Sequence, residues 1–171
     1  MRILGVDPGL RVTGYGVVDV AGDRIRLLEA GVISPSPSAP LEERLNDLFR
    51  EISAVIAATA PAVMVVEDLY TTYRNPTTAV LMGHARGVIC LAAGASGVGV
   101  RHLGHSMVKR AMVGSGAARK EQVKRMVMQQ LSLTVRPEPD DVSDALALAL
   151  AFSNIDRAER RFAGLGVLAR R

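Results

Sequence analysis

The order of elements in this chain predicts an α/β domain, a mixed five-stranded sheet flanked by helices, and two observations carry that prediction. The first third holds three strand-like segments in succession, β-branched and glycine-dotted, which fits antiparallel pairing. Beyond them, stretches with apolar residues at helical spacing alternate with a short continuous apolar run at residues 62–66 and a further strand-like segment at 98–103. Such a run, lying between a helix and a carboxylate pair, reads as a strand buried on both faces in a parallel part of a sheet.

Taken in order, Ile3, Leu4 and Val6 form a first strand that Pro8-Gly9 terminates, leaving Asp7 at its exit. Residues 12–20 read as the second strand of a hairpin, with glycines that permit close backbone approach beside Asp7. Residues 24–33 make a third strand, and Ser34-Pro35-Ser36-Pro37-Ser38-Ala39-Pro40 is a loop that joins neither sheet nor helix. Leu41, Leu45, Leu48, Ile52, Val55 and Ile56 recur at spacings of three and four, predicting an amphipathic helix over 41–59 that Pro61 stops. The apolar run 62–66 ends at Glu67, and the aperiodic segment 68–76, which interleaves Tyr70 and Tyr73 with Arg74, is a loop. From Thr77 the helical pattern resumes and ends in glycine-rich residues 94–99, before a fifth strand at 98–103. Further helices are expected over 106–113, 120–131 and from near Asp141 through Phe152, the last with an acidic opening turn. The expected organisation is one domain over residues 1–154 and a basic tail over 155–171, in which Arg157, Arg160, Arg161, Arg170 and Arg171 oppose Asp156 and Glu159. The tail is open to three readings: mobile, a DNA contact or a partner contact.

At 171 residues the chain is long enough to bury a sizeable core, and with 49% hydrophobic but 4% aromatic residues that core must be aliphatic. The single cysteine, Cys90, excludes an internal disulfide and fits a reducing compartment. No apolar run approaches the roughly 18 residues that would span a bilayer and no signal-like stretch precedes Asp7, so a soluble, cytoplasmic protein with no membrane partner is expected. The net charge of +4 is modest, but Arg101, Lys109, Arg110, Arg119, Lys120, Lys124 and Arg125 face only Glu121 within one stretch. That concentration suits a polyanion such as nucleic acid; a solvated helix face is the plainer alternative.

Carboxylates recur where strands end and where the last helix begins. Asp7 and Glu67 fall at the exits of the first and fourth strands, and would share a sheet end if those strands were parallel neighbours. Asp141 and Asp144, three apart, share one helical face. Each close pair among four carboxylates costs about 4 kcal/mol at ~4 Å and an effective dielectric of about 20. Mg²⁺ or Mn²⁺ would relieve this, and two such ions roughly 4 Å apart can activate a water and stabilise a leaving oxygen in phosphodiester hydrolysis. Each residue also has an ordinary reading: a turn for Asp7, a salt-bridge end for Glu67, an N-cap for Asp141 and a helix-dipole partner for Asp144. In the loop, Tyr70 first and Tyr73 second are candidates for stacking on nucleic-acid bases, with Arg74 as a phosphate contact or a cation–π partner. Folding of both rings back onto the core is the alternative.

Several blocks carry a resemblance. They are Gly5-Val6-Asp7-Pro8-Gly9-Leu10 with Gly14, Val66-Glu67, Gly83-His84-Ala85-Arg86-Gly87-Val88, Val108-Lys109-Arg110-Ala111-Met112-Val113-Gly114-Ser115-Gly116 leading to Lys120-Glu121-Gln122-Val123, and Pro139-Asp140-Asp141-Val142-Ser143-Asp144-Ala145-Leu146-Ala147. In order and spacing this series resembles the RuvC family of Holliday-junction resolvases, from Met1 to about Phe152. The resemblance implies a ribonuclease-H-like fold, a homodimer, Mg²⁺-dependent paired nicking of four-way DNA junctions in recombination and repair, and partnership with the RuvA–RuvB branch-migration complex. It puts the catalytic, metal-binding carboxylates at Asp7, Glu67, Asp141 and Asp144, a base-stacking aromatic at Tyr70 and DNA-contacting lysines at Lys109 and Lys120. Asp140 precedes the matched pair and takes a helix-start role. His84, Arg119 and Phe152 depart from the residues usual at their positions, and bear on junction affinity or sequence preference rather than on the carboxylates.

Other classes stay in view. Actin-like ATPases and sugar kinases also open with a glycine-flanked Asp, but need two such domains. An RNA-directed nuclease of the same fold would differ in substrate alone, and a junction-binding module that does not cut would show a broken carboxylate set.

Overall fold

The computed structural model describes residues 1–68 and 76–168. Its sheet contains β1 (Arg2–Asp7), β2 (Thr13–Ala21), β3 (Arg24–Ile33), β4 (Val63–Glu67) and β5 (Gly99–Leu103), and its helices are α1 (Leu41–Thr59), α2 (Pro76–Ala95), α3 (His105–Val113), α4 (Lys120–Gln130) and α5 (Asp140–Leu168). The strand order is β3-β2-β1-β4-β5. β1 pairs antiparallel with β2 and β2 with β3, whereas β1–β4 and β4–β5 are parallel. This is the ribonuclease-H-like arrangement expected, with β1 and β4 as parallel neighbours.

Side-chain alternation assigns each strand's residues to two cores. Leu4, Val6, Met64 and Val66 face α1 and α2, meeting Leu48, Ile52, Ala85 and Ile89. Ile3, Val65 and Leu103 face α3, α4 and α5, meeting Val108, Val123, Leu146 and Leu150. Ile3, Leu4, Val6, Met64, Val65 and Val66 are fully buried, each worth about 1.5–3 kcal/mol relative to an exposed side chain. Period two then decides where the carboxylates go: Asp7 continues the face of Ile3 and Gly5, and Glu67 that of Val63 and Val65, so both point towards α5.

The helix α5 lies almost on the backbone of the sheet. A methyl group at Gly5 would stand 2.0 Å from the Ala145 carbonyl oxygen, and one at Gly14 would stand 2.1 Å from that of Asp141. The close approach anticipated from the strand glycines is therefore made by the helix that carries the second pair of carboxylates.

The boundaries of α1 and β3 coincide with expectation. At Ala60 the chain turns left-handed (φ 45°), its N–H donating to the Ile56 carbonyl at 2.8 Å, which closes α1 just before Pro61. The helix α5 passes residue 154 without a break. Phe152 and Ile155 still pack on the core, while Arg157 donates to the Gly22 carbonyl at 3.2 Å and pairs with Asp23 at 3.4 Å. One expectation needs correcting: α2 is, by length and composition, long and apolar enough to cross a membrane. Its single arginine does not interrupt the apolar composition, and the buried side of the helix, Ala85, Ile89, Ala92 and Ala93, packs against the α1 side of the sheet.

Candidate active site

Because Val6 pairs with Val66, Asp7 and Glu67 follow side by side at the exits of adjacent parallel strands. On β5, Leu103 stands opposite Glu67, so the chain enters α3 at the same sheet end. Asp7, Glu67 and Asp144 line a cavity of about 300 Å³ together with His105, Lys109 and Lys120. Asp141 lies one turn before Asp144, its backbone against Gly14, and its charge is felt by Asp7.

The electrostatics are those of a crowded acidic site. Burial, then the charges of Asp144 and Asp141, push the Asp7 carboxyl up from 3.8 to about 7, against the pull of Lys120. Burial, then Asp7 and Asp144, likewise raise Glu67 from 4.5 to about 7, with Lys120 and Arg86 opposing. Lys120 Nζ lies 2.6 Å from Asp144 and 3.6 Å from Asp140. Burial works against its charge, but the hydrogen bond to Asp144 holds its pKa above the usual lysine range.

The lysine-bearing helix is tied to α5 below the cavity. Lys124, with only 4% of its side chain exposed, pairs with Asp140 at 2.5 Å, and Arg136 reaches the same carboxylate at 3.3 Å. Asp140 opens α5, as expected, and in addition anchors α4 to it. Arg119 caps α4 through its backbone N–H, which donates to the Gln122 side chain at 2.8 Å.

Two residues with no role assigned from sequence emerge here. Arg86, 12% exposed, donates to the backbone carbonyl of Glu67 and to His102 Nδ1 at 2.6 Å, and pairs with Asp68 at 3.6 Å, so α2 pins the exit of β4. His105 touches the Glu67 carboxylate. The only sequence sign of His105 was its place just after a strand exit. Tyr70, Tyr73 and Arg74 lie outside the described residues.

The family model described as crossover junction endodeoxyribonuclease RuvC matches residues 3–152. The chain belongs to the RuvC family. A RuvC from Rhodopirellula baltica is 49% identical over 148 residues, covering 86% of this chain and 83% of the relative. Thermus thermophilus RuvC superposes with a TM-score of 0.87 at 36% identity, over 93% of this chain and 97% of that one. The same protein in complex with Holliday junction substrate matches with a TM-score of 0.85 at 34% identity, over 92% and 96% of the two chains. The yeast mitochondrial resolvase Ydc2, at 11% identity and a TM-score of 0.71 over 95% and 83%, shares the fold.

RuvC-family nuclease chemistry implies a divalent metal, and the residues fit one. Among the described residues no three His, Cys, Asp or Glu side chains form a ready-made ion cage. Yet the cavity concentrates hard oxygen donors whose proton affinity is raised by burial first and by their mutual negative charge second, the environment that Mg²⁺ or Mn²⁺ favours. The folded-state pKa values of Asp7 and Glu67 lie above their unfolded values, so these groups stabilise the fold at acid pH, and that contribution is lost as pH rises through about 7. Melting in chelator should therefore show the midpoint falling between pH 5 and 8, with Mg²⁺ restoring more at pH 8 than at pH 5. A midpoint that rises with pH in chelator would contradict the crowding.

Proposed function

We propose that this chain is a metal-dependent endonuclease that resolves Holliday junctions by paired nicking, with Asp7, Glu67, Asp141 and Asp144 holding two divalent ions per site, Mg²⁺ in the first instance. The observation that carries the reading is the meeting of Asp7, Glu67 and Asp144 in one cavity with Lys109 and Lys120 on its wall. When bound, the ions would activate water and stabilise the departing oxygen. The carboxylates hold and orient them, and the packing of α5 on Gly14 keeps Asp141 beside Asp7. Lys109 and Lys120 draw the phosphate backbone to the cavity, and Lys120 offsets Asp144 until an ion does so. Tyr70 and Tyr73 stack on loosened bases and Arg74 contacts phosphate, on the argument from sequence. The basic segment 155–171, which begins inside α5, offers a further DNA or partner contact, and the RuvA–RuvB complex is the proposed partner in the cytoplasm. The deciding experiment incubates the protein with a labelled synthetic four-way junction and with linear duplex, in Mg²⁺ and in chelator. Symmetric nicks in the junction alone, and only with Mg²⁺, are expected; equal cutting of duplex would reject structure specificity.

Lys120→Ala should weaken binding alike across junction sequences. Its salt dependence should become shallower by about one unit in slope, because one phosphate contact fewer releases about one counterion fewer. An unchanged slope would argue against direct contact.

A homodimer matches the two equivalent strands of a junction, and α2 is the proposed interface. From the sequence, Val80, Met82, Val88, Ile89 and Leu91 place apolar side chains on more of this helix's circumference than one core contact requires, but Ile89 is fully buried in its own core and leaves that set. The exposed positions Val80, His84, Gly87 and Leu91 instead follow one another at spacings of four, three and four, so they form a single stripe, with Val80 and Leu91 exposed by 58% and 61%. Sedimentation at micromolar concentration should give a dimer mass for the wild type and a monomer mass for Leu91→Glu; a monomeric wild type would sink the proposal.

A further inference from the structure

His105 is the first residue of α3 and follows Leu103, the strand partner of Glu67, by two positions. This register brings an imidazole to the sheet end where the carboxylates emerge. Its Nδ1 contacts Glu67 Oε1, and it lines the same cavity as Asp7, Lys109, Lys120 and Asp144. With 66% of its side chain exposed, it adds little to the core. Glu67 holds a cation only when ionised, and an ionised carboxylate can only accept, so in that state Nδ1 carries the proton and donates. Arg86 meanwhile holds the backbone carbonyl of the same glutamate from the opposite side of the sheet.

We infer that His105 is a positioning residue for Glu67, restraining its carboxylate in the orientation that receives a divalent ion. A glutamate has several rotatable bonds, and a donor on one oxygen removes most of the freedom that ion binding would otherwise have to suppress. Hydrogen-bond partners of metal-holding side chains characteristically influence affinity in this way. The inference rests on the reading of Glu67 as an ion-holding carboxylate.

The test needs no cleavage. Metal-free full-length wild type, His105→Ala, His105→Asn and Glu67→Gln are titrated with Mg²⁺ and with Mn²⁺ by calorimetry, and each is melted in chelator. His105→Ala should weaken both ions by a similar factor, roughly 10- to 100-fold, with its melting midpoint in chelator unchanged. The asparagine variant, whose amide N–H sits near the position of Nδ1, should recover most of the loss. Wild-type affinity in His105→Ala would overturn the assignment, as would a fall in its chelator midpoint with no recovery by asparagine, which marks a structural role. Loss confined to Mn²⁺, again without recovery, would make the imidazole itself a ligand and overturn positioning. If Glu67→Gln binds both ions like the wild type, the reading of the site fails as well; if Glu67→Gln loses them while His105→Ala does not, only the role of His105 fails.

Discussion

Glu67→Gln and Asp144→Asn should each lower junction cleavage by about 10³-fold, the scale on which a single preorganised electrostatic group acts, while leaving junction affinity close to that of the wild type. The two functions separate because they rest on different charges. Affinity for a polyanion comes from lysines and arginines paired with phosphates, and the amides keep the shape of the carboxylates without the charge that holds a cation. Removing one negative charge from a site where burial and like charge already push Asp7 and Glu67 to about 7 also relieves repulsion, so Glu67→Gln should not melt below the wild type in chelator, whereas Asp144→Asn also gives up the ion pair with Lys120. Single-turnover cleavage and gel-shift binding on the same junction measure the two effects separately. Cutting near the wild-type rate by either variant would remove that residue from the catalytic set.

Gly14→Ala should cost stability and cleavage together. The added methyl would stand 2.1 Å from the Asp141 carbonyl oxygen and 2.9 Å from the Asp141 Cβ, and neither partner is the free end of a flexible side chain. The first turn of α5 must lift or the hairpin must bend. Overpacking of this kind costs on the order of 3 kcal/mol, or a midpoint roughly 6–12 °C lower for a domain of this size. The same displacement moves Asp141 away from Asp7, so cleavage should fall more than the loss of folded protein explains. Gly99→Ala is the control, since nothing lies within 4 Å of the methyl it would add. Equal midpoints for the two variants would show that α5 does not depend on this close contact.

The folding pattern was legible where local chemistry governs. Prolines and glycines punctuate the first hairpin and α1, and the apolar period of α1 is interrupted by nothing from outside the helix. The far end of α5 was not legible, because the helix is prolonged there by Phe152 and Ile155 on the core and by Arg157 on the β2–β3 turn, all contacts distant in sequence. The covered side of α2 was not legible for a related reason: helical spacing shows that the helix is apolar around much of its circumference, but only packing chooses that Ile89 faces the core while Val80 and Leu91 stay exposed.

By itself the sequence determined the alternation that turns Asp7 and Glu67 to one face, the one-turn spacing of Asp141 and Asp144, and the glycines that leave room beside them, because each follows from the two- or three-to-four-residue periods of the backbone. Tertiary structure decided the rest of the site. That α5 is the element seated on Gly5 and Gly14, that Lys124 locks α4 to the first residue of α5, that Lys120 bridges to Asp144, and that His105 and Arg86 hold Glu67 from two sides all depend on contacts between separate elements. No local period encodes those contacts; the strand order and the packing of helices on the two faces of the sheet do.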